Sequence, residues 1–368
     1  EENTSSEEKT IIARKLTSAS NATGDGGEEA WQYSWRNEAN QSQRFQEAVT
    51  MIYATDFYAE NISFVNTWGT EKLIGPMAEA MYTANDRIAF YNCKFRSFQD
   101  TWQTKVQSSS ENGINARHYA SDCWIEGAVD YFYGNGNVLI ENTTLYNIRY
   151  GSVITAANHT TGTNWGYVFN NCTVDGINKV DPDKYGTESL DYQPSKGTAQ
   201  TLGRPWQNNP ITVFLNTKLK FDIDPAGWRD MSAVPALYAE YNTTDKKGKA
   251  VDMSQRKTKY TINGTSYNYE GKTELSYSEY IKYTYENIVN GSDGWNPKKF
   301  MEQLETPENV SLNGTTLSWD ARYKAICYLI FKADGSFEGQ TIDTSFTVSD
   351  ADATYTVKAA NKYGTLSE

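Results

Sequence analysis

The stretch Ile88-Ala89-Phe90-Tyr91-Asn92-Cys93-Lys94-Phe95 decides the fold, because versions of it recur along the first two-thirds of the chain. Each version has apolar or aromatic residues, then Asn or Asp, then a short step to another large apolar residue. The Asx position of the six versions is occupied by Asn61, Asn92, Asp122, Asn142, Asn171 and Asn216. The intervals are 31, 30, 20, 29 and 45 residues, so the motif is constant while the period is loose. A repeat of this length predicts stacked structural units.

Short strands rich in β-branched and aromatic residues, broken by Asn and Gly turns, are typical of the coils of a parallel β-helix. Coils stack at the strand spacing of about 4.8 Å, so residues at the same offset lie above one another. We expect the Asx side chains to mark turns and to bond from coil to coil. Cys93, Cys123 and Cys172 each follow the Asx residue, which favours a column of small buried side chains over a disulfide. A β-sandwich is the alternative fold, although it does not predict a shared Asx frame.

The same frame aligns two acidic residues. Asp100 lies eight positions after Asn92, and Asp130 lies eight positions after Asp122. On stacked coils their carboxyl groups should lie roughly 5 Å apart on the outer surface of the helix. Two like charges at that distance cannot both ionise easily, so one group can act as an acid near neutral pH and the other as a nucleophile or base. A solvated or cation-binding aspartate pair is the alternative.

Composition narrows the chemistry further. The 368 residues include 34 Lys and Arg against 46 Asp and Glu, a net charge of −12 without a basic stretch, which argues against nucleic-acid binding. Only two histidines, His118 and His159, are present, which excludes a multi-histidine metal centre and leaves little room for a Ser-His-Asp triad. No apolar run reaches the length of about 18 residues that spans a membrane. Any chemistry should therefore use carboxylates, and an aromatic content of 14% suits stacking on sugar rings.

Four fragments surround or follow the two aspartates in a fixed order. They are Phe98-Gln99-Asp100-Thr101, Gly127-Ala128-Val129-Asp130-Tyr131-Phe132-Tyr133-Gly134-Asn135, Leu202-Gly203-Arg204-Pro205-Trp206 and Pro225-Ala226-Gly227-Trp228. Together they resemble the signatures of the pectin methylesterases, and the resemblance extends over about residues 50–300. It implies an all-β protein built on a right-handed parallel β-helix. It also implies hydrolysis of the C6 methyl esters of homogalacturonan, the backbone of pectin, without a metal or cofactor.

The resemblance further implies a role for each matching residue. Asp130 would attack the ester carbonyl to form an acyl-enzyme anhydride, and Asp100 would protonate the departing methanol and then activate water. Arg204 would orient Asp130 and hold it ionised, and Gln99 would donate a hydrogen bond to the oxyanion. The residues expected at the substrate are Trp206 and Trp228, which would stack on galacturonate rings, together with Tyr131 and Met77.

Three features depart from the family pattern. Met77 stands 22 residues before Gln99, where the family carries a second glutamine, so an oxyanion donor is missing or replaced there. The segment from Gln103 to Arg117 is longer than usual and rich in Ser, Asn and Gly, so we expect an exposed loop beside the cleft that alters substrate choice. The family's N-terminal G-x-Y-x-E strand is not found, so the first coil is missing or has diverged within residues 1–50.

The pattern changes after Thr306. Alternating apolar residues around Trp319 and Tyr355 are similar to a fibronectin type III module, which has a β-sandwich fold. We therefore expect two domains, a parallel β-helix over residues 1–303 and a small β-sandwich over residues 304–368. Residues 240–303, with a helical stretch near 278–289, are expected to cap the β-helix. The module is expected to be a spacer or stability element, with carbohydrate binding as the alternative.

These observations favour a monomeric carboxylesterase that acts on methylated pectin and is secreted, periplasmic or attached to the cell surface. The chain begins at Glu1 without an export signal, which suggests a processed form. One alternative is a β-helix that binds pectin without turnover, which the residue at position 77 motivates. Another is a polysaccharide lyase or galacturonan hydrolase, but neither the calcium-binding acids of lyases nor the acidic triad of hydrolases is found. The presence of all four expected catalytic residues argues against binding alone.

Overall fold

The computed structural model describes residues 10–14, 48–72, 77–107, 110–177, 199–301, 304–362 and 365–368. The chain divides into two compact units, Glu1–Trp295 and Asn296–Glu368. The boundary that the sequence predicts, at residue 303, lies within the second unit. None of the helices in the described ranges is long and apolar enough to cross a membrane.

Three sheets of seven, six and seven strands make up the first unit. With strands numbered in chain order, sheet A consists of β1 (Thr10–Arg14), β4 (Ile62–Asn66), β7 (Lys94–Arg96), β10 (Trp124–Gly127), β13 (Thr144–Asn147), β16 (Thr173–Gly176) and β19 (Lys218–Leu219). Sheet B consists of β2 (Thr50–Ile52), β5 (Met81–Ala84), β8 (Trp102–Lys105), β11 (Val129–Gly134), β14 (Val153–Ala157) and β17 (Thr201–Pro205). Sheet C consists of β3 (Phe57–Glu60), β6 (Ile88–Tyr91), β9 (Arg117–Ser121), β12 (Asn137–Glu141), β15 (Tyr167–Asn170), β18 (Ile211–Leu215) and β20 (Leu237–Tyr241).

Successive strands of the chain contribute to different sheets, and each strand pairs in parallel with the strand one coil away. A chain that visits three parallel sheets once per coil forms a parallel β-helix, so this prediction is confirmed. The alternative of a β-sandwich for this part of the chain is wrong, because every ladder of these three sheets is parallel.

The Asx residues mark the corner between sheet C and sheet A. All six predicted positions have left-handed backbones, with φ between 48° and 58°, a region that Asn and Asp tolerate better than other non-glycine residues. Two pairs of these side chains bond between neighbouring coils, Asn92 Nδ2 to Asn61 Oδ1 and Asn171 Nδ2 to Asn142 Oδ1, both at 2.7 Å. Asn242, which the sequence analysis missed, adds a seventh position, with φ 54° and a bond of 2.9 Å from its Nδ2 to Asn216 Oδ1. These bonds therefore help to hold neighbouring coils in register.

Aromatic and aliphatic side chains fill the interior of the coils. Phe95 stacks on Trp102 with 4.3 Å between ring centroids, and Phe90 meets Phe95 edge-on at 5.1 Å. Large rings packed in these geometries contribute much of the buried apolar area of the unit.

The predicted cysteine column is confirmed. Cys93, Cys123 and Cys172 are buried free thiols, and the amide of Cys93 lies 3.4 Å from the sulfur of Cys123. Burial raises the pKa of Cys93 and of Cys172 to about 12, so these thiols stay protonated and serve as small core side chains.

Short elements complete the first unit. They are the helices α1 (Thr67–Lys72) and α2 (Tyr277–Tyr280), the 3-10 turns Gly113–Asn115 and Met253–Gln255, the π-helical turn Glu286–Asn290, and the hairpin of β21 (Lys259–Ile262) and β22 (Thr265–Asn268). The helical stretch expected near residues 278–289 is therefore two separate short turns. The expectation of a missing or diverged first coil falls mostly on residues outside the described ranges. Of the residues that are described there, β1 pairs in parallel with β4.

The second unit contains two antiparallel sheets of three strands. One consists of β23 (Ser311–Asn313), β24 (Thr316–Ser318) and β27 (Ser345–Thr347), and the other of β25 (Cys327–Lys332), β26 (Phe337–Thr341) and β28 (Tyr355–Ala360), with a 3-10 turn at Pro297–Lys299 before them. A buried cluster joins residues of both sheets, and in it the rings of Trp319 and Tyr328 lie 5.3 Å apart.

Candidate active site

Asp100 and Asp130 lie on neighbouring coils, at the edge where the chain enters sheet B. Gln99 pairs with Val129 in a parallel bridge, and the amide of Asp100 donates to the carbonyl of Val129 at 2.9 Å. The two aspartates are therefore one strand spacing apart, about 4.8 Å. Both have left-handed backbones, with φ of 60° and 48°, an arrangement that is common at functional sites. Their exposed fractions are 4% and 6%, so they are more enclosed than the predicted position on the outer surface suggests.

Strand β17 supplies a cation to this pair. Arg204 Nε donates to Asp130 Oδ1 at 2.8 Å, and its NH2 group donates to Oδ2 at 2.6 Å. The side chains are 27% and 8% exposed, so the contact is largely shielded from water. A two-pronged contact of this kind fixes the plane of the carboxylate.

Gln99 and Met77 also lie on neighbouring coils. The amide of Ala78 donates to the carbonyl of Gln99 at 3.1 Å, which sets Met77 beside Gln99. Both side chains are half-buried. Within the described ranges the side-chain amide of Gln99 makes no hydrogen bond to another side chain, so its N–H groups are available to a ligand. A thioether is only a weak acceptor and cannot donate, so Met77 supplies no hydrogen to this position.

Two residues expected at the substrate lie in the core instead. Trp228 is 2% exposed and stacks on Tyr238 with 4.3 Å between ring centroids. Its backbone forms a parallel bridge with Gly203 of β17, which places it in the last coil of the β-helix. Tyr131 is fully buried and donates its hydroxyl to Asn147 Oδ1 at 2.8 Å. The register shift after Val129 breaks the alternation of β11 and leaves this ring inside. The expectation that Trp228 stacks on a galacturonate ring is therefore wrong, and so is the expectation that Tyr131 contacts the substrate.

Trp206 is half-buried and lies near a buried pair that the sequence analysis did not single out. Its ring lies 5.9 Å from that of Tyr133, which follows Asp130 by three positions on β11. The hydroxyl of Tyr133 donates to Oε1 of Glu79, a fully buried carboxylate. The sequence does contain a signal for this pair: Glu79 is an acid within the otherwise apolar run from Met77 to Met81. A buried charge there is costly unless it has a partner.

The long segment from Gln103 to Arg117 connects β8 to β9. Its described tip, including Glu111, lines a polar cavity of about 450 Å³ whose other walls include Asp293. Neither aspartate of the pair lines this cavity. Arg117 closes it with ion pairs to Asp86 at 2.8 Å and to Asp293 at 2.7 Å. The described tip of this segment therefore lines a cavity separate from the aspartate pair, and its effect on substrate choice stays a prediction.

Both histidines lie in the core. His159 is fully buried and its Nδ1 accepts from the amide of Ile211 at 3.1 Å. Burial lowers the pKa of His118 and of His159 to about 4, so both rings are neutral at physiological pH. Since neither lies at the aspartate pair, the chemistry available to this site is that of two carboxylates, a guanidinium and an amide.

Comparison with known proteins gives concordant results. A family model described as Pectinesterase matches residues 5–291. "Probable pectinesterase/pectinesterase inhibitor 41" of Arabidopsis thaliana is 28% identical over 260 residues, which cover 68% of this chain and 39% of that protein. "Probable pectinesterase A" of Neosartorya fischeri is 32% identical over 222 residues, which cover 59% of this chain and 58% of that protein. The chain thus spans only about half the length of these curated relatives.

Among solved structures, the one described as "Pectin methylesterase from Carrot" is similar with a TM-score of 0.54 and 24% identity. The match covers 77% of this chain and 75% of that one. At this identity the likeness shows a common fold, which agrees with the three parallel sheets described above.

Proposed function

Since this chain belongs to the pectinesterase family, we propose that it hydrolyses the C6 methyl esters of homogalacturonan and releases methanol. The observation that carries the proposal is the two-pronged contact of Arg204 with Asp130, one coil from Asp100. This arrangement offers an ionised, oriented carboxylate as nucleophile and a second carboxyl group beside it as acid. These are the two functions that ester cleavage without a metal requires.

In the first step, a carboxylate oxygen of Asp130 attacks the carbonyl carbon of the ester. The resulting oxyanion accepts a hydrogen bond from the amide of Gln99, a kind of contact whose loss costs about 3–4 kcal/mol. The bond from carbon to the methoxy oxygen then breaks, and that oxygen takes the proton of Asp100 as it leaves as methanol. The product of this step is an anhydride between Asp130 and the galacturonate carboxyl group.

In the second step, Asp100, now ionised, takes a proton from water while the water oxygen attacks the anhydride at the galacturonate carbon. The bond to Asp130 breaks and its carboxylate returns to Arg204. Asp100 again carries a proton, and galacturonate is released as an acid that ionises in solution. All atoms and protons of one water and one ester are accounted for in the acid and methanol produced.

Substrate contact is assigned to the residues that border the pair. We propose that Trp206, which is half-buried, stacks on a galacturonate ring, since aromatic faces pack well on the apolar face of a sugar. Met77, beside Gln99, would contact the methyl ester as an apolar neighbour without donating to the oxyanion.

Several features of the whole protein are part of the same proposal. The β-helix is right-handed and forms the first domain, and the second is a fibronectin type III-like β-sandwich that serves as a spacer. Two three-stranded antiparallel sheets with a common buried cluster support the second assignment. The protein works as a monomer outside the cell or at its surface, because a polymeric cell-wall substrate is found there. It needs no cofactor, because the residues above supply each proton and charge.

Binding of pectin without turnover is a second candidate, which Met77 at the place of an expected donor favours. The deciding experiment incubates the whole chain with highly methylated pectin and measures methanol and acid together with binding. Methanol and acid in equal amounts support the esterase. Binding to pectin with no methanol at any pH contradicts it and supports the second candidate.

A further inference from the structure

A second concave site lies at the corner between sheet B and sheet C. It is the polar cavity of about 450 Å³ described above, whose lining includes residues of the connections after β5, β8 and β14 and of the segment 287–293. Asp100 and Asp130 lie at the opposite, amino-terminal ends of the strands of sheet B. The volume falls within the range of about 300–1,000 Å³ that is usual for sites of small ligands. The cavity can therefore hold a ligand of its own, away from the aspartate pair.

The buried guanidinium of Arg117 has no capacity left for a ligand. Its Nε and Nη2 donate to Asp86 at 3.0 and 2.8 Å, and its Nη1 and Nη2 donate to Asp293 at 2.8 and 2.7 Å. A further N–H group on Nη1 donates to the carbonyl of Val289 at 2.9 Å. An arginine side chain has five N–H groups, so all of them are engaged. The hydrogen bonds from Arg117 also hold the pKa of Asp293 well below its usual range, so this carboxylate is ionised.

The charges around the cavity leave a negative excess. Three carboxylates and two guanidinium groups line it, and the second guanidinium, that of Arg87, pairs with Glu111 at 2.8 Å and with Asp293 at 3.3 Å. An anionic ligand would therefore meet net negative charge without a free cation to bind it. A metal ion is not favoured either, because every carboxylate of the lining already has a guanidinium partner. The charges thus favour a neutral organic ligand.

Uncharged polar groups remain for that ligand. The side-chain oxygen of Asn115 accepts from Asn137 Nδ2 at 2.8 Å and from the backbone amide of Asn164 at 2.9 Å. These two bonds fix the amide plane of Asn115, while among the described residues its Nδ2 has no hydrogen-bond partner. The side chains of Asn164 and Ser292, which are exposed and line the cavity, have none there either. Such a mixture of donors and acceptors suits a ligand with several hydroxyl groups, each of which both donates and accepts.

An aromatic ring completes the lining. Trp165 is half-buried, and its backbone amide donates to Asn137 Oδ1 at 3.1 Å. Its ring lies 5.2 Å from that of Tyr283 in an edge-on contact. The indole is therefore held in place before a ligand arrives, which reduces the entropy lost on binding. An aromatic ring beside planar amide groups is suited to a sugar, whose C–H groups pack on the ring while its hydroxyl groups bond to the amides.

We propose that this cavity is a second carbohydrate site, which binds a neutral sugar unit and rejects sugar units that carry a carboxylate. Methyl-esterified galacturonate and galactose are both neutral sugar units of this chemistry. Unesterified galacturonate is the unit that the negative excess excludes. The inference goes beyond the proposed esterase function and does not require it, because none of the lining residues belongs to the aspartate site.

The test measures binding of three trisaccharides to the whole chain by titration calorimetry. The probes are β-1,4-linked galactotriose, methyl-esterified trigalacturonate and unesterified trigalacturonate, and all are measured in the Asp130→Asn background so that no ester is hydrolysed. Ser292→Trp places a large side chain at the rim and should weaken binding of a neutral probe about tenfold or more, as judged from the change in Kd. Binding of the unesterified probe should not change. Ser266→Trp is the matched control, because Ser266 is an exposed serine of the same unit, on β22, and its variant should bind like the parent.

The pattern of loss identifies the sugar. A loss confined to the esterified probe assigns the cavity to methylated galacturonan, and a loss that includes galactotriose assigns it to neutral sugar chains; either result supports the site. Unchanged binding of both neutral probes in Ser292→Trp overturns the inference, and so does an equal loss for the unesterified probe. If Ser292→Trp does not fold, Trp165→Ala replaces it and should weaken binding of the neutral probe about tenfold through loss of the ring. No loss in that variant again overturns the inference.

Methanol release separates this inference from the proposed function. A wild type that releases no methanol, together with binding that Ser292→Trp weakens, contradicts the esterase and supports the second site. Methanol release at the wild-type rate by Ser292→Trp, together with unchanged binding of the neutral probes, supports the esterase and overturns the second site.

Discussion

Removal of the Arg204 side chain should lower esterase activity by an amount that the structure allows to be estimated. Its two hydrogen bonds to Asp130, at 2.8 and 2.6 Å, join side chains that are 27% and 8% exposed. A hydrogen bond to a charged group contributes about 1.5–3 kcal/mol. Because the two bonds act on one carboxylate and overlap, we expect Arg204→Ala to cost about 3 kcal/mol in the transition state. At about 1.4 kcal/mol per factor of ten, this lowers kcat/KM roughly 10²-fold.

The lysine variant separates charge from geometry. Arg204→Lys keeps the positive charge but cannot make the two-pronged contact, so we expect about a tenfold loss. Initial rates of methanol release from methylated pectin measure both variants, with thermal unfolding to confirm folding. Arg96→Ala is the control, because Arg96 pairs with Glu126 at 3.1 Å on sheet A and is 38% exposed, and kcat/KM should not change. Arg204→Ala with wild-type kcat/KM refutes the reasoning that Asp130 must be held and ionised.

Three further predictions concern other parts of the molecule. Met77→Gln should raise kcat about three- to tenfold in the methanol assay if an oxyanion donor is missing, and an unchanged rate means that another group already donates. Burial lowers the pKa of His118 and of His159 to about 4, against about 6.5 in the unfolded chain, so the unfolded chain binds more protons between these two pH values. The free energy of unfolding should therefore be highest above pH 6.5 and fall as the pH drops to about 4. Urea unfolding of His118→Phe should show a weaker dependence of this free energy on pH than the wild type. Trp228→Ala should lower the free energy of unfolding by about 3–5 kcal/mol because a core ring is lost. Trp206→Ala should instead raise KM and leave the melting temperature nearly unchanged. The reverse pattern in activity assays and calorimetry contradicts the assignment of the two rings.

The repeat could be predicted from sequence because its signal is local. Each Asx residue adopts a left-handed backbone that few other residues tolerate, so the corner of every coil is visible as a residue type. Once the corners are known, the coil spacing brings Asp100 and Asp130 together with no further information. Asn242 was missed because no segment with the full pattern surrounds it.

The direction of individual side chains could not be predicted in this way. Tyr131 adjoins Asp130 in sequence, but the register shift in β11 leaves its ring in the core. Trp228 follows a turn similar to the family's, yet it stacks on Tyr238 inside the last coil. Alternation along a strand fixes such directions only where the strand is regular. Here the left-handed aspartate interrupts it.

Contacts that span coils were also invisible from sequence. The bond between Tyr133 and Glu79 joins residues 54 positions apart, on coils that are not adjacent. Its existence depends on how a ring extends over the outer face of sheet B, which residue spacing does not determine. The loop after β8 shows the same limit, because its composition indicated exposure but not the cavity that its tip lines.

The central claim is that Asp130 is the nucleophile and Asp100 the acid of an ester hydrolysis. The most direct measurement is the initial rate of methanol release by the wild type, Asp130→Asn and Asp100→Asn at equal concentrations of folded protein. The account predicts release by the wild type and a loss of about 10³-fold or more in each variant, because neither amide can attack the ester or exchange the required proton. A folded Asp130→Asn variant that releases methanol at the wild-type rate contradicts it.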